Sequence, residues 1–307
     1  MTNKISLAQL QQLLRDEKTT PDDIREFFTL NEIESRGFAP VVTLDPEKVE
    51  FGDDEAALAI SSFNNWSRRY RARVFRSKIK SGWVGPTCIS EGDSYFQYPI
   101  LLDDIIDNFM KSHAVESLGA AGDLLEAMVQ SGELIATYDP SVHDFVLISG
   151  GGNDLLGEGR LQTFIRPFEP ERIASRYLNS YFKPFLDNAI NNFDALISGL
   201  KRKNSDVRIL THTYAYALPN NGKWLGKPLK AKGITDETLQ REIIKVIVDK
   251  FHTAMKKLER RHAGNLLVVD CRKSLPHPSD WTDELHPNNA GYARIAARIL
   301  AKTTVTS

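Results

Sequence analysis

The stretch "HDFVLISGG" at residues 143–151 joins an unbroken apolar run to a pair of glycines. Such runs, without polar alternation, are typical of strands covered on both faces of a parallel sheet. Four further short strands are predicted around it, at residues 86–90, 113–119, 206–215 and 265–271. Amphipathic segments typical of helices lie between and after the strands, at residues 98–110, 122–132, 170–203, 235–262 and 288–301. This alternation predicts an α/β fold with a doubly wound parallel sheet over residues 85–307.

Proline and glycine set the expected limits of several helices. Pro99 suits the first turn of the helix over 98–110, because a first-turn residue needs no backbone donor. Pro184 falls inside the segment 170–203, where it predicts either two helices or one kinked helix. Gly132 is expected to end the helix that precedes the third strand.

Residues 1–84 differ from the rest and are predicted to form a small, mostly helical extension of unknown role. Its expected helices cover residues 6–16, 19–30 and 54–70. The stretch "SRRYRARVFRSKIK" at 67–80 carries seven cations. It is interpreted either as a solvated helix face or as a docking patch for an anionic partner or an acidic substrate group.

Composition narrows the class of protein. The chain has 307 residues with a net charge of -1 and a pI of about 6.7, so no overall field favours nucleic acid or an anionic membrane. No segment reaches the roughly 20 apolar residues of a membrane span, and the amino terminus lacks the apolar core of a secretion signal. Cys88 and Cys271 are isolated, as is usual for small buried residues in a reducing compartment. We therefore expect a cytoplasmic protein.

Ser94 lies in "EGDS", directly after the first predicted strand and where a helix is expected to begin. A serine hydroxyl becomes a nucleophile only when a base removes its proton. A helix amino terminus adds backbone N–H donors and a favourable dipole. Taken alone, Gly-Asp-Ser is more typical of a turn, so Ser94 needs partners at the same edge of the sheet.

His286 in "DELHP" is the histidine best placed to act as that base. Asp283 precedes it by three residues, so in a turn its carboxylate can meet the imidazole and fix the tautomer. His277 competes for the role but has no carboxylate at that offset. The remaining histidines precede strands or lie within a strand or a helix.

Two further strand ends offer hydrogen-bond donors for a developing oxyanion. Asn153 follows three glycines in "SGGGND", where the backbone can approach a ligand and the amide can donate. Gly122 in "LGAAGDLL" offers an N–H at the start of another helix. With Ser94 and the "DELHP" turn, these residues all fall at one predicted edge of the sheet.

Four blocks of the sequence resemble the SGNH or GDSL hydrolase superfamily, which carries Ser, Gly, Asn and His in this order. They are GDSY (92–95), GAAGD (119–123), GGND (151–154) and DELHP (283–287). The resemblance covers residues 86–302 and implies a three-layer α/β/α, flavodoxin-like fold with a five-stranded parallel sheet. The chain departs from the family pattern at Tyr95, where leucine usually follows the serine, and at Leu124.

The resemblance also implies roles. Ser94 would be the nucleophile, His286 the base and Asp283 its orienting group, while Gly122 and Asn153 would join the Ser94 N–H in an oxyanion hole. The implied activity is hydrolysis of carboxylic esters through an acyl-enzyme, without cofactor or metal. The expected substrate is a small ester with a lipid acyl group or an acetylated sugar.

Candidate walls of the substrate pocket are aromatic and aliphatic residues near the strand ends, namely Tyr95, Leu155 and Trp281. The polar segment 218–233 is expected to be either a lid or a variable surface connection.

Two other functions compete with the esterase. A metal-dependent phosphoesterase could use a cluster of hard ligands, namely Asp93, Asp123, Asn153, Asp154 and His286. The Asp-x-His and Gly-His-x-His patterns common in such sites are missing from the sequence. A non-catalytic binding module on the same fold is the other alternative, and the intact Ser, Gly, Asn, Asp and His set disfavours it.

Overall fold

The computed structural model of the protein describes residues 4–303, without the side chains of residues 53–65 and 158. Its strands are β1 (Ile5–Ser6), β2 (Phe28–Leu30), β3 (Val42–Leu44), β4 (Val49–Glu50), β5 (Thr87–Gly92), β6 (Ala114–Ser117), β7 (Phe145–Ser149), β8 (Ile209–His212) and β9 (Leu266–Val269). Its α-helices are α1 (Leu7–Arg15), α2 (Pro21–Ile24), α3 (Asp53–Lys80), α4 (Ile105–Met110), α5 (Leu125–Ser131), α6 (Glu133–Thr137), α7 (Gly152–Leu156), α8 (Arg160–Phe164), α9 (Phe182–Lys203), α10 (Gly226–Ala231), α11 (Glu237–Arg261) and α12 (Asn289–Leu300). Single 3-10 turns cover Arg25–Phe27, Gly157–Gly159, Ala174–Arg176 and Pro278–Asp280.

The central sheet has five parallel strands in the order β6-β5-β7-β8-β9. Every residue of β7 is buried, as its unbroken apolar run predicts. Helices cover both faces: α9 packs on α5 and α11, while α12 packs on α4. The predicted three-layer α/β/α fold is confirmed. From β5 the chain adds β6 on one side of the sheet and then β7 on the other side of β5. Ligands of such sheets bind at the carboxyl ends of the strands where the direction of strand addition changes.

Two predicted helices differ from the structure. In the segment 98–110, α4 begins only at Ile105, because the carboxylate of Asp104 caps it by accepting the N–H of Ile106 at 2.8 Å. The first half of that predicted helix is therefore wrong. Pro184 lies in the first turn of α9, where its missing N–H costs no hydrogen bond, so the predicted interruption there is also wrong.

The amino-terminal region has its own apolar cluster, to which α1, β2, β3 and β4 contribute. β1 pairs with β4 and β2 pairs with β3, so this region contains small sheets as well as helices. The predicted helix over residues 19–30 is wrong in its second half, which forms a 3-10 turn and β2. The domain boundary near residue 84 stays a prediction, and residues 1–3 and 304–307 lie outside the described range.

The cationic run at 67–80 lies on α3, and it is not a uniformly solvated face. Arg71 is only 2% exposed and its guanidinium lies 2.7 Å from the carboxylate of Asp104 and 2.8 Å from that of Asp107. Burial would lower the pKa of Arg71, but these two carboxylates raise it above its ordinary value. Lys78 also donates to the carbonyl oxygen of His113 at 2.8 Å. Part of the run therefore fastens α3 to the sheet domain.

The burial of the two cysteines and the character of the helices are as the sequence predicts. Cys88 and Cys271 are buried and unbridged, and burial raises the pKa of both thiols, for Cys271 to about 12. Among the helices of residues 4–303, none combines the length and apolar character needed to cross a bilayer.

Candidate active site

The ends of two strands bring Ser94, His286 and Asp283 together. Ser94 follows β5 by two residues, and the "DELHP" turn lies between β9 and α12. The Ser94 Oγ is 3.0 Å from His286 Nε2, and His286 Nδ1 is 2.8 Å from Asp283 Oδ2. The three side chains form a continuous chain of hydrogen bonds, with Ser94 and His286 separated by 192 residues in sequence.

The "DELHP" turn also fixes its own carboxylate. Asp283 Oδ1 accepts the backbone N–H of Leu285 at 2.7 Å and of His286 at 2.8 Å, in the manner of an Asx turn. Burial would raise the pKa of Asp283, but the contact with His286 and the two N–H groups lower it below its ordinary value. The carboxylate is therefore held ionised beside the imidazole.

Gly122 and the neighbouring Gly119 have different roles at the end of β6. A Cβ at Gly119 would lie 2.8 Å from the carbonyl oxygen of Gly92, so this glycine allows the loop to pack on β5. Gly122 adopts a φ of +88°, which favours glycine. Within residues 4–303, the backbone N–H groups of Gly122 and Ser94 have no hydrogen-bond partner. Neither donor is therefore committed to another acceptor among these residues.

Asn153 lies in the first turn of α7, directly after β7, and is 4% exposed. Its side-chain amide donates one hydrogen bond to the carbonyl oxygen of Asp123 at 3.2 Å. Because Asp123 is next to Gly122, this contact holds the Asn153 amide beside the β6 loop. The amide has a second N–H that can donate elsewhere.

Asp93, beside the serine, is a structural residue whose role the sequence did not indicate. Its carboxylate accepts the hydroxyls of Tyr214 at 2.5 Å and Ser149 at 3.1 Å, which ties together loops at the ends of three strands. The Tyr214 oxygen in turn accepts the N–H of Gly152 at 3.1 Å. Burial raises the pKa of Asp93 despite these donors.

Two carboxylates of the ligand cluster considered for a phosphoesterase are engaged in other hydrogen bonds. Asp93 is engaged by hydroxyl groups, and Asp154 accepts the N–H of Leu125 at 3.3 Å. Across the described part of the chain, no three side chains of His, Cys, Asp or Glu lie close enough to hold one metal ion.

Glu284 is a second residue that sequence reasoning missed. It is 1% exposed, and its carboxylate accepts five backbone N–H groups at 2.8–3.1 Å. The donors belong to one loop, at Asn220, Gly222, Trp224, Leu225 and Gly226. The segment 218–233 is thus an anchored loop followed by α10. Two features of the sequence could have predicted this role of Glu284. It is an acidic residue next to Asp283, and the chain contains a loop rich in Gly and Asn whose N–H groups need an acceptor.

Two cavities flank the catalytic candidates. An outer cleft of about 340 Å³ is lined by residues of segments 30–40, 220–227 and 282–286, including His286. An inner, apolar cavity of about 30 Å³ is lined by Tyr95 and Leu155, two of the three predicted pocket walls. Trp281 is half-buried and lines neither space in the described structure. A larger groove of about 890 Å³ between α9 and α11 contains none of these residues.

Phe38, from the amino-terminal region, closes the site. Its ring meets the His286 ring edge-on with centroids 5.7 Å apart, and Tyr98 contacts the same imidazole at 5.0 Å. Ser94 is 0% exposed and His286 is 1% exposed. Nothing in "SRGFAP" distinguishes Phe38 from an ordinary core residue, so this contact could not be predicted from the local sequence.

Residues 82–294 match the model of the GDSL-like Lipase/Acylhydrolase family, and the chain therefore belongs to this family of ester hydrolases. The expected superfamily is confirmed.

Solved structures similar to this chain include lipases of low sequence identity. Phospholipase A1 from Streptomyces albidoflavus is 15% identical, with 71% of this chain and 99% of that chain covered and a TM-score of 0.49. An extracellular lipase from Streptomyces rimosus is 13% identical, with coverages of 71% and 100% and a TM-score of 0.48. The lipase Lip_vut3 from a goat rumen metagenome is 14% identical, with coverages of 70% and 96% and a TM-score of 0.49. A search of curated protein sequences finds no match.

Proposed function

We propose that the protein hydrolyses carboxylic esters through an acyl-enzyme on Ser94, with His286 as general base. The observation that carries this proposal is the continuous hydrogen-bonded chain from Ser94 Oγ through His286 to Asp283. Membership of the GDSL-like Lipase/Acylhydrolase family supports the same class of reaction.

The carboxylate of Asp283 determines which nitrogen of His286 carries the proton. Because Asp283 Oδ2 can only accept, the proton of the neutral ring lies on Nδ1. Nε2 then has a free lone pair at 3.0 Å from the Ser94 hydroxyl. This is the tautomer that a general base requires.

In the first half-reaction, Ser94 Oγ bonds to the ester carbonyl carbon while its proton passes to His286 Nε2. The negative charge that develops on the carbonyl oxygen is stabilised by the N–H groups of Ser94 and Gly122 and by the Asn153 amide. When the intermediate collapses, the bond to the alcohol breaks and His286 returns the proton to the departing oxygen. Water then repeats the sequence on the acyl-enzyme, which releases the acid and restores Ser94.

The substrate that we propose is a small ester with an apolar acyl group or an acetylated sugar. Tyr95 and Leu155 support the apolar acyl group, because they line the inner cavity beside the glycines at 151–152. The outer cleft is lined by Asn220, Lys223 and Trp224, which are residues that can contact a polar alcohol portion.

The proposal is tested by rapid-mixing kinetics with a nitrophenyl ester. The wild type is expected to release a burst of nitrophenol close to one equivalent of enzyme, followed by slower turnover. Ser94→Ala should abolish the burst and lower kcat/KM by at least about a thousandfold. Undiminished turnover by Ser94→Ala would contradict the mechanism.

Ser90→Ala is the matched control for this experiment. Ser90 is a buried serine of β5, the strand that precedes Ser94, and its hydroxyl has no hydrogen-bond partner within the described residues. Its loss should leave both the burst and kcat/KM close to the wild type.

A further inference from the structure

Residues 36–40, "RGFAP", form a tight turn at the carboxyl edge of the sheet, which we call the 36–40 turn. Arg36 and Ala39 exchange two backbone hydrogen bonds, of 3.0 and 2.8 Å. Gly37 adopts a φ of +55° between them, a conformation that favours glycine. This geometry places Phe38 at the tip of the turn.

The tip of the turn packs against both glycine loops of the candidate active site. A Cβ at Gly152 would lie 3.0 Å from the Phe38 ring, and a Cβ at Gly122 would lie 2.8 Å from Ala39 Cβ. Gly122 and Asn153, which follows Gly152, are the residues proposed to bind the oxyanion. The 36–40 turn therefore packs directly on the two loops that carry these donors.

Phe38 is buried among residues of the sheet domain rather than in the amino-terminal apolar cluster. It is 3% exposed, and its ring centroid lies 5.5 Å from that of Tyr214 and 6.1 Å from that of Tyr95. It also lines the inner apolar cavity. A side chain of the extension thus occupies the apolar space next to Ser94.

The turn separates the two cavities. Gly37 and Pro40 line the outer cleft, which contains His286, while Phe38 lines the inner one. Ser94, whose hydroxyl contacts His286, lines neither cavity and is 0% exposed, so an ester carbonyl has no path to that hydroxyl in this arrangement.

We propose that the 36–40 turn occupies the substrate site. In this state the Phe38 side chain fills the apolar pocket beside Tyr95 and Leu155 that binds the acyl group of the substrate. The acyl group that replaces Phe38 is apolar and of medium length, and the alcohol portion lies in the outer cleft. When the Phe38 benzyl group leaves, it exposes apolar surface of Tyr95 and Leu155. The acyl chain covers the same surface again, so the free energy lost in the first step is offset in the second. This inference rests on the proposed function, since it assigns the substrate class of that same site.

The test compares the wild type with Phe38→Ala on nitrophenyl acetate and nitrophenyl hexanoate. Displacement of Phe38 precedes attack on either ester, so kcat/KM should rise for both by a similar factor, about tenfold. The wild type should prefer the hexanoate, because only the longer acyl chain refills the vacated pocket. The rate at which a fluorophosphonate probe labels Ser94 should also rise in Phe38→Ala.

Phe75→Ala and Phe38→Leu are the companion variants. Phe75 is a buried aromatic residue of α3, stacked on His143 far from Ser94, so its loss should change neither rate. Phe38→Leu is a milder truncation that should give a smaller rise in both rates if Phe38→Ala fails to fold.

Several results would overturn the inference. A rise for the hexanoate alone would make Phe38 a fixed wall of the acyl pocket, and a fall for both esters would make the turn part of the working site. A wild type that prefers the acetate would contradict an apolar acyl group of medium length. Failure of the proposed function is distinguishable, because neither the wild type nor Phe38→Ala would then hydrolyse an ester or be labelled at Ser94.

Discussion

Among the residues that the structure describes, two buried histidines each contact a partly buried aspartate, at opposite edges of the sheet. His286 and Asp283 lie after β9, with the ring nitrogen 2.8 Å from the carboxylate. His262 follows α11 and precedes β9, and its Nε2 lies 2.5 Å from Asp194 of α9. Both histidines are less than one-tenth exposed.

The two pairs differ in what surrounds them. Asp194 also accepts a hydrogen bond from Arg261 at 2.7 Å, and within residues 4–303 the second ring nitrogen of His262 has no partner. The second nitrogen of His286 faces the Ser94 hydroxyl instead. A carboxylate partner is therefore not enough to propose a catalytic histidine, and the proposal for His286 rests on the neighbouring hydroxyl of Ser94 as well.

Replacing each histidine should give the largest contrast between the pairs. His286→Ala removes the proposed base and should lower kcat/KM for a nitrophenyl ester by at least about a thousandfold. His262→Ala should keep kcat/KM within about twofold of the wild type, since it lies far from Ser94. Steady-state kinetics on both variants, with circular dichroism to verify folding, measure this. Similar losses in the two variants would remove the distinction.

Replacing each aspartate should give a smaller contrast. Asp283→Asn leaves the base in place but removes the group that fixes its tautomer, so we expect a loss in kcat that is about a hundredfold smaller than the loss in His286→Ala. Asp194→Asn is the control and should change kcat little. An equal or greater loss in Asp283→Asn than in His286→Ala would show that Asp283 has another role.

Glu284 extends the comparison to a third carboxylate, which also lies at the carboxyl edge of the sheet. Its hydrogen-bond donors are backbone N–H groups rather than a histidine. Glu284→Gln replaces one acceptor oxygen by a donor that faces N–H groups, which should loosen residues 220–226. Because this loop lines the outer cleft, KM should rise about three- to tenfold with a smaller change in kcat. Glu237→Gln, on an exposed helix start, is the control. A fall in kcat with KM unchanged would contradict this positioning role.

The pair of His262 and Asp194, at the amino edge of the sheet, should contribute to stability rather than to activity. Its contribution should be small and should be lost in acid. Partial burial would raise the pKa of Asp194, but the hydrogen bonds from His262 and Arg261 lower it below its ordinary value. A lowered carboxyl pKa stabilises the fold fully above the unfolded value of about 3.9, and the contribution is lost as the pH falls through the lowered pKa.

Asp194→Asn should therefore lower the free energy of unfolding by less than about 1 kcal/mol at pH 7. The difference from the wild type should shrink as the pH approaches 3. Urea unfolding across this range measures it. A difference that grows towards acid would contradict the pairing.

Local sequence patterns predicted the sheet, and they placed Ser94, Asp283 and His286 at one edge of it, for physical reasons. A buried parallel strand must be apolar throughout, as β7 is, and Asp283 meets His286 within one turn. Ser94 and His286 are distant in sequence, yet their positions after strands imply a shared edge. Gly132 has the left-handed conformation expected of a helix end.

Interactions between distant segments account for what the sequence did not predict. The late start of α4 depends on Asp104, which caps the helix and pairs with Arg71 of α3. The burial of Phe38 depends on where the amino-terminal region docks, and local patterns carry no information about docking. The role of Glu284 depends on five N–H groups about sixty residues away, between residues 220 and 226.

The most direct test of the central claim is to identify the residue that carries the acyl group. The protein would be quenched in acid during turnover of a nitrophenyl ester, digested and mapped by mass spectrometry. We predict a single acyl adduct on the peptide that contains Ser94, absent from Ser94→Ala. Steady turnover with an adduct on another residue, or with the same turnover rate in Ser94→Ala, would contradict the claim that Ser94 is the nucleophile.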